Sequence, residues 1–174
     1  MMNKTVLTTL LVSIALSCPG QSIKDLDFLI GTWEVEETIL PGRDNEYQEK
    51  GTRTCEYYLD GSFIKCEAST VVTHTGKKRT YAYYINYDAK EDCFWATNFA
   101  NDFPLHGLHQ WFLDKENQQI NGAAPQNVNK DRFFKHTISY ANRDRLIWEG
   151  WSSKFKASDK AWQHIFHDVA TKKQ

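Results

Sequence analysis

The chain has 174 residues, with 21 Lys and Arg against 22 Asp and Glu, and its net charge of −1 is spread without blocks. No basic stripe of the kind that nucleic-acid binders carry is present. Aromatic residues make up 14% of the chain, which favours strands around an apolar interior over disorder.

Residues 1–21 read as an address. Lys4 supplies a positive start, and residues 6–16 form an apolar run broken only by Thr8, Thr9 and Ser13. Ser17, Cys18, Pro19 and Gly20 follow, the layout of a secretory signal peptide too short to anchor in a bilayer. A second reading takes Ala15-Leu16-Ser17-Cys18 as a loose lipobox, with a lipid anchor at Cys18. Both readings place the mature protein outside the cytoplasm, in the periplasm or the extracellular space. No other run is long enough to cross a membrane. Residues 22–174, roughly 150 in number, suit one domain with a single core.

Residues 25–30 are a short amphipathic stretch of one or two helical turns. Gly31-Thr32-Trp33 opens a strand in which Trp33, Val35 and Ile39 share one parity and Glu34 and Glu36 the other. Segments 51–58 and 62–72 form a hairpin around Asp60-Gly61, a strong turn signal. Tyr81, Tyr83, Ile85 and Tyr87 alternate along the next strand, residues 88–92 turn it, and 94–99 run back. A loop is expected at 101–107 and a strand at 109–113, followed by a weak strand from Ile120 that dissolves near Ala123. Phe134, His136, Ile138 and Tyr140 alternate again, and Asn142-Arg143-Asp144 turns the chain into 146–152. About ten strands with turns every 8–12 residues predict an all-β barrel or sandwich. The last segment, 160–171, satisfies two patterns. Trp162, Ile165, Phe166, Val169 and Ala170 fall on a helical stripe that Ser158 would cap, yet a barrel needs a closing strand here.

The run Asp27-Phe28-Leu29-Ile30-Gly31-Thr32-Trp33 resembles the opening of calycin-type barrels, lipocalins and fatty-acid-binding proteins. In those families Gly-x-Trp on the first strand follows a short helix and closes one end of the barrel. With residues 59–64 (Leu-Asp-Gly-Ser-Phe-Ile), the arrangement resembles an uncharacterised bacterial family of exported lipocalin-like proteins. The resemblance implies a single antiparallel up-and-down β-barrel of about ten strands with a short N-terminal helix, and it turns 160–171 into a strand. Nitrobindin-like haem barrels also begin with Gly-x-Trp, but they continue with glycines where this chain has Glu34-Val35-Glu36-Glu37.

Cys55 and Cys66 sit on opposite arms of the Asp60-Gly61 hairpin. A two-residue turn sets them face to face, at about 5.5 Å between α-carbons, within disulfide range. A three-residue bulged loop separates them. Cys93 then lacks a partner and reads as a small core residue. Of six histidines, His106 and His109 flank Gly107, while His164 and His167, three apart, are expected on opposite faces of a strand. Neither pair has a ligand neighbour at established metal spacing, so no metal site is assigned. His136 shares parity with Phe134 and Ile138 and points inward. No nucleophile elbow or phosphate loop occurs, and Glu36-Glu37 face opposite ways, so a binding module is expected rather than an enzyme. Trp33, Tyr81, Tyr83, Trp111, Phe134 and His136 are expected to line a cavity for a small hydrophobic or amphipathic ligand. The alternatives are a haem- or metal-binding barrel, and an envelope interaction protein with a filled core.

Overall fold

The computed structural model describes residues 21–124, 133–154 and 162–174, with the side chains of 103–106 outside that description. The residues of the address segment up to position 20, the stretch 125–132 and the expected cap Ser158 lie outside the described residues.

A short 3-10 helix, Ile23–Leu29, begins where the Ser22 N–H donates to the Asp25 carboxylate at 2.8 Å. It buries Leu26, Phe28 and Leu29 against one end of the sheet. Ten strands follow: β1 (Gly31–Ile39), β2 (Tyr47–Tyr58), β3 (Phe63–Val72), β4 (Lys78–Asp88), β5 (Cys93–Ala100), β6 (Phe103–Asp114), β7 (Gln119–Ala123), β8 (Phe133–Asn142), β9 (Arg145–Ser153) and β10 (Gln163–Lys172). Each pairs antiparallel with its chain neighbour, and β1 pairs with β10 to close the barrel. Closure leaves no sheet edge to template aggregation.

The β2–β3 hairpin takes the register of a two-residue turn. Asp60 and Gly61 both have positive φ, and the Ser62 N–H donates to the Leu59 carbonyl at 3.0 Å. Glycine adopts this conformation without a Cβ penalty. Cys55 therefore faces Cys66, and a disulfide joins them. Their α-carbons are 4.0 Å apart, nearer the spacing of a non-hydrogen-bonded pair than the about 5.5 Å expected. Cys93 is fully buried at the start of β5.

Two expectations are corrected. The loop expected at 101–107 is only a two-residue turn, because β6 already starts at Phe103 and pairs with Ala100 across a bulge. The opposite-face placement of His164 and His167 fails because the β9–β10 register shifts between His164 and Phe166. The extra residue, Ile165, absorbs one step of the pleat, so both imidazoles lie on the outer face. In the same strand Phe166, Asp168 and Ala170 turn inward, so the strand alternation prevails over the helical stripe.

Candidate functional site

The closed sheet turns one parity inward, and the interior divides along the barrel axis. At the helix end the floor is apolar: Leu26, Trp33, Ile64, Ile85, Phe94, Ile120 and Ile138 are all at most 2% exposed. The Trp33 indole N–H donates to the Leu29 carbonyl at 2.9 Å, which ties the helix to β1, while the Lys172 ammonium lies 5.3 Å from its ring centroid. Gly31 leads into this corner with φ of +129°, and a Cβ there would meet Lys172 Cε at 2.8 Å. Trp33 is fully buried in this floor, and Arg53 stands directly opposite it on β2. Above it, Leu29, Arg53, the disulfide, Tyr83, Trp111 and Trp148 border a void of about 20 Å³. That is room for about one water. In this lower half the rings interdigitate and do not line an open pocket.

The other end is polar. Arg53 on β2 and Asp168 on β10 form a buried salt bridge across the interior, and Arg53 also donates to the Tyr81 hydroxyl at 3.4 Å. Its guanidinium lies 5.3 Å from the Trp148 centroid. Burial works against the Arg53 charge, but Asp168 outweighs it and raises the pKa well above the ordinary value. Nearer the rim, Arg79 sits 3.8 Å from both Glu37 and Glu49, and Thr70 donates to Glu49 at 2.6 Å. Burial, with Asp168 nearby, pushes the Glu37 carboxyl up to about 7 despite Arg79. Burial likewise raises Tyr81 and Tyr83.

Opposite this charged ladder stands a ring cluster. His136 is 5.2 Å from His109, 5.5 Å from Trp111 and 5.5 Å from Trp148, centroid to centroid. Burial brings His109 down to about 4 and His136 well below its ordinary value, so both imidazoles are neutral at physiological pH. Gly122 makes room for this packing, since a Cβ there would lie 2.0 Å from His136 Nε2.

Of the six residues read from the sequence as ligand-lining, the structure brings Tyr81, Tyr83, Trp111 and His136 into this connected interior. Phe134 is half-buried near the polar end of β8, and Trp33 lies in the floor. Sequence reasoning missed Arg53, Asp168, Glu37, Glu49 and Arg79. Arg53 carries the parity of Cys55, and Glu37 that of Trp33 and Val35, so strand alternation held the signal for both. Seven buried polar atoms in this region have no hydrogen-bond partner among the described residues: Glu37 Oε2, Arg53 Nε, Asp168 Oδ1, His109 Nδ1, Trp111 Nε1, His136 Nε2 and Trp148 Nε1. A haem coordinated by His136 does not fit. Three rings and the Gly122 backbone surround that imidazole, leaving no slot for a macrocycle.

No family model and no curated protein sequence matches the chain. Solved structures do. Rv2717c from M. tuberculosis superposes with a TM-score of 0.61 at 10% identity, over 87% of this chain and 97% of that one. An S-type phycobiliprotein lyase, CPES from Guillardia theta, gives 0.59 at 7% identity, over 88% and 94%. At such identities the likeness is one of fold. The chain is a ten-stranded lipocalin-like barrel with a polar upper interior. Among the described residues no helix is long and apolar enough to cross a membrane.

Proposed function

We propose that this is an exported binding protein that takes a small amphipathic molecule at the polar end of its barrel. The observation that carries the reading is the set of unpartnered buried polar atoms around Arg53, Asp168 and His136. An unmet buried polar group costs about 1–3 kcal/mol, so several at one end call for water or a ligand that pairs with them. The neighbouring indoles and tyrosines offer apolar faces, and Arg53, Glu37 and the neutral imidazoles offer donors and acceptors. A purely hydrophobic ligand suits the site poorly, because it would leave these groups unpaired. Export draws support from the signal-like residues 1–21 and from the Cys55–Cys66 disulfide, which suits an oxidising compartment.

A second reading follows from the filled floor. With only about 20 Å³ enclosed there, the barrel would act through its outer surface, where Tyr58, Phe99 and Phe112 are 42–50% exposed. Titration with anilinonaphthalene sulfonate, an amphipathic anion, separates the two. The binding reading expects saturable one-to-one binding that changes tryptophan emission, weakened at least tenfold by Tyr83→Leu or His136→Leu while circular dichroism keeps its strand signature. Binding that is absent, or indifferent to both substitutions, leaves the outer surface as the working part.

A further inference from the structure

On the outer face of the barrel, Glu149, His164 and His167 stand together at the β9–β10 ladder. Glu149 is directly opposite His167, and Trp151 is opposite His164. The bulge at Ile165 is what brings two histidines three apart onto one face. His167 Nδ1 is 3.3 Å from Glu149 Oε1, and His164 Nε2 is 3.7 Å from the same oxygen. All three ligand atoms lie within 4.8 Å of one another. Ligands held about 2.0–2.1 Å from a tetrahedral zinc ion are themselves roughly 3.4 Å apart, so the carboxylate already stands at coordinating distance from both rings.

A cross-strand ion pair between Glu149 and His167 explains part of this arrangement. It does not explain His164. Its Nε2 is buried, faces the shared carboxylate oxygen from beyond hydrogen-bond range, and has no hydrogen-bond partner among the described residues. Trp151 stacks on the His164 ring, 5.3 Å between centroids and 19° from parallel, so the imidazole is held in that orientation. A buried ring nitrogen aimed at a carboxylate that it does not reach is the arrangement a bridging cation completes.

We propose that Glu149, His164 and His167 form a binding site for a divalent transition-metal ion of the zinc type. Two imidazoles and one carboxylate suit zinc or its softer neighbours better than calcium or magnesium, which prefer oxygen ligands throughout. The side chains are 30–38% exposed, so the ion exchanges with solvent and keeps a position open to water or to a donor from elsewhere. Bound there, it ties β9 to β10 from outside, independently of anything in the barrel interior.

The test uses the full chain without an affinity tag, titrated with zinc chloride by calorimetry and with cobalt(II) chloride by visible absorption. The expected result is one ion per chain, with the intensified cobalt bands of a four-coordinate site. His164→Ala and His167→Ala should each weaken zinc at least about tenfold, since even a change beyond the direct ligands costs 10–100-fold. Both positions are on the outer face, and unchanged circular dichroism of the variants checks that the barrel persists. No saturable uptake at millimolar zinc overturns the proposal. So does uptake that survives both substitutions, because the ion then sits elsewhere, for instance at His109 and His136.

Discussion

The two ends of this barrel interior are built on opposite principles. The floor is packed from Trp33, Ile64, Ile85, Phe94 and Ile138, and the Trp33 indole N–H is satisfied by the Leu29 carbonyl. The upper half buries Arg53, Asp168, Glu37 and Glu49 within the same ring of strands and leaves several of their atoms unpaired. A floor of this kind needs only hydrophobic volume, and its stability does not depend on pH. The upper half costs desolvation energy, and proteins retain such groups where they serve a purpose other than stability.

The sharpest way to break the comparison is to remove one partner of the buried ion pair. Arg53→Ala should cost about 3–5 kcal/mol in urea unfolding, because it strands Asp168 without a counter-charge. Arg53→Met with Asp168→Leu should recover most of that loss. If the double variant is as unstable as the single one, the pair is a structural requirement and the contrast between the two ends dissolves.

Next in size is the pH dependence. The Glu37 carboxyl stands at about 7 in the folded chain against an ordinary 4.5, so the folded state holds its proton over that window. Its contribution is therefore fully present below about pH 4.5 and is lost as pH rises through 7. At about 1.4 kcal/mol per pH unit, Glu37→Gln should gain up to about 3 kcal/mol over the parent chain at pH 8, with little difference at pH 4. Chemical denaturation at the two values checks it; equal effects at both would place the carboxyl in an ordinary environment. The smallest effect belongs to the floor. Ile85→Val should cost about 1 kcal/mol, the same at pH 4 and pH 8. A pH-dependent cost there would mean that the two ends are energetically linked.

The division itself was only half legible in the sequence. Parity placed Tyr81, Tyr83, Trp111 and His136 inside, because large rings on alternate positions stand out from polar neighbours. The same parity places Arg53 beside Cys55 and Glu37 beside Val35, but a charged residue in an inward slot is discounted by any reading that looks for apolar alternation. Asp168 lay beyond reach for another reason. The face of each β10 residue depends on the bulge at Ile165, and no local pattern in Gln163-His164-Ile165-Phe166-His167 announces the irregularity. Partnership between Glu149 and the two histidines depends on β9–β10 register, which the ambiguous reading of 160–171 left open. The hairpin at Asp60-Gly61 was legible from its turn chemistry, whereas its register, two-residue or bulged, is decided by the positive φ of Asp60 and Gly61 and the pairing of Cys55 with Cys66.

The extra residue in β10 also acts as a latch. The Leu40 N–H donates to the Ile165 carbonyl at 2.9 Å, and Arg43 donates to the His164 carbonyl at 3.2 Å and to the Gln163 side chain at 3.4 Å. The connection between β1 and β2 is thus pinned to the backbone that aims the His164 ring. Shortening the chain by removing Ile165 would restore an unbroken ladder and take away the carbonyl that receives Leu40. Both imidazoles would still face outward, now two positions apart, so the residue that sets their spacing is also the one that anchors the rim turn.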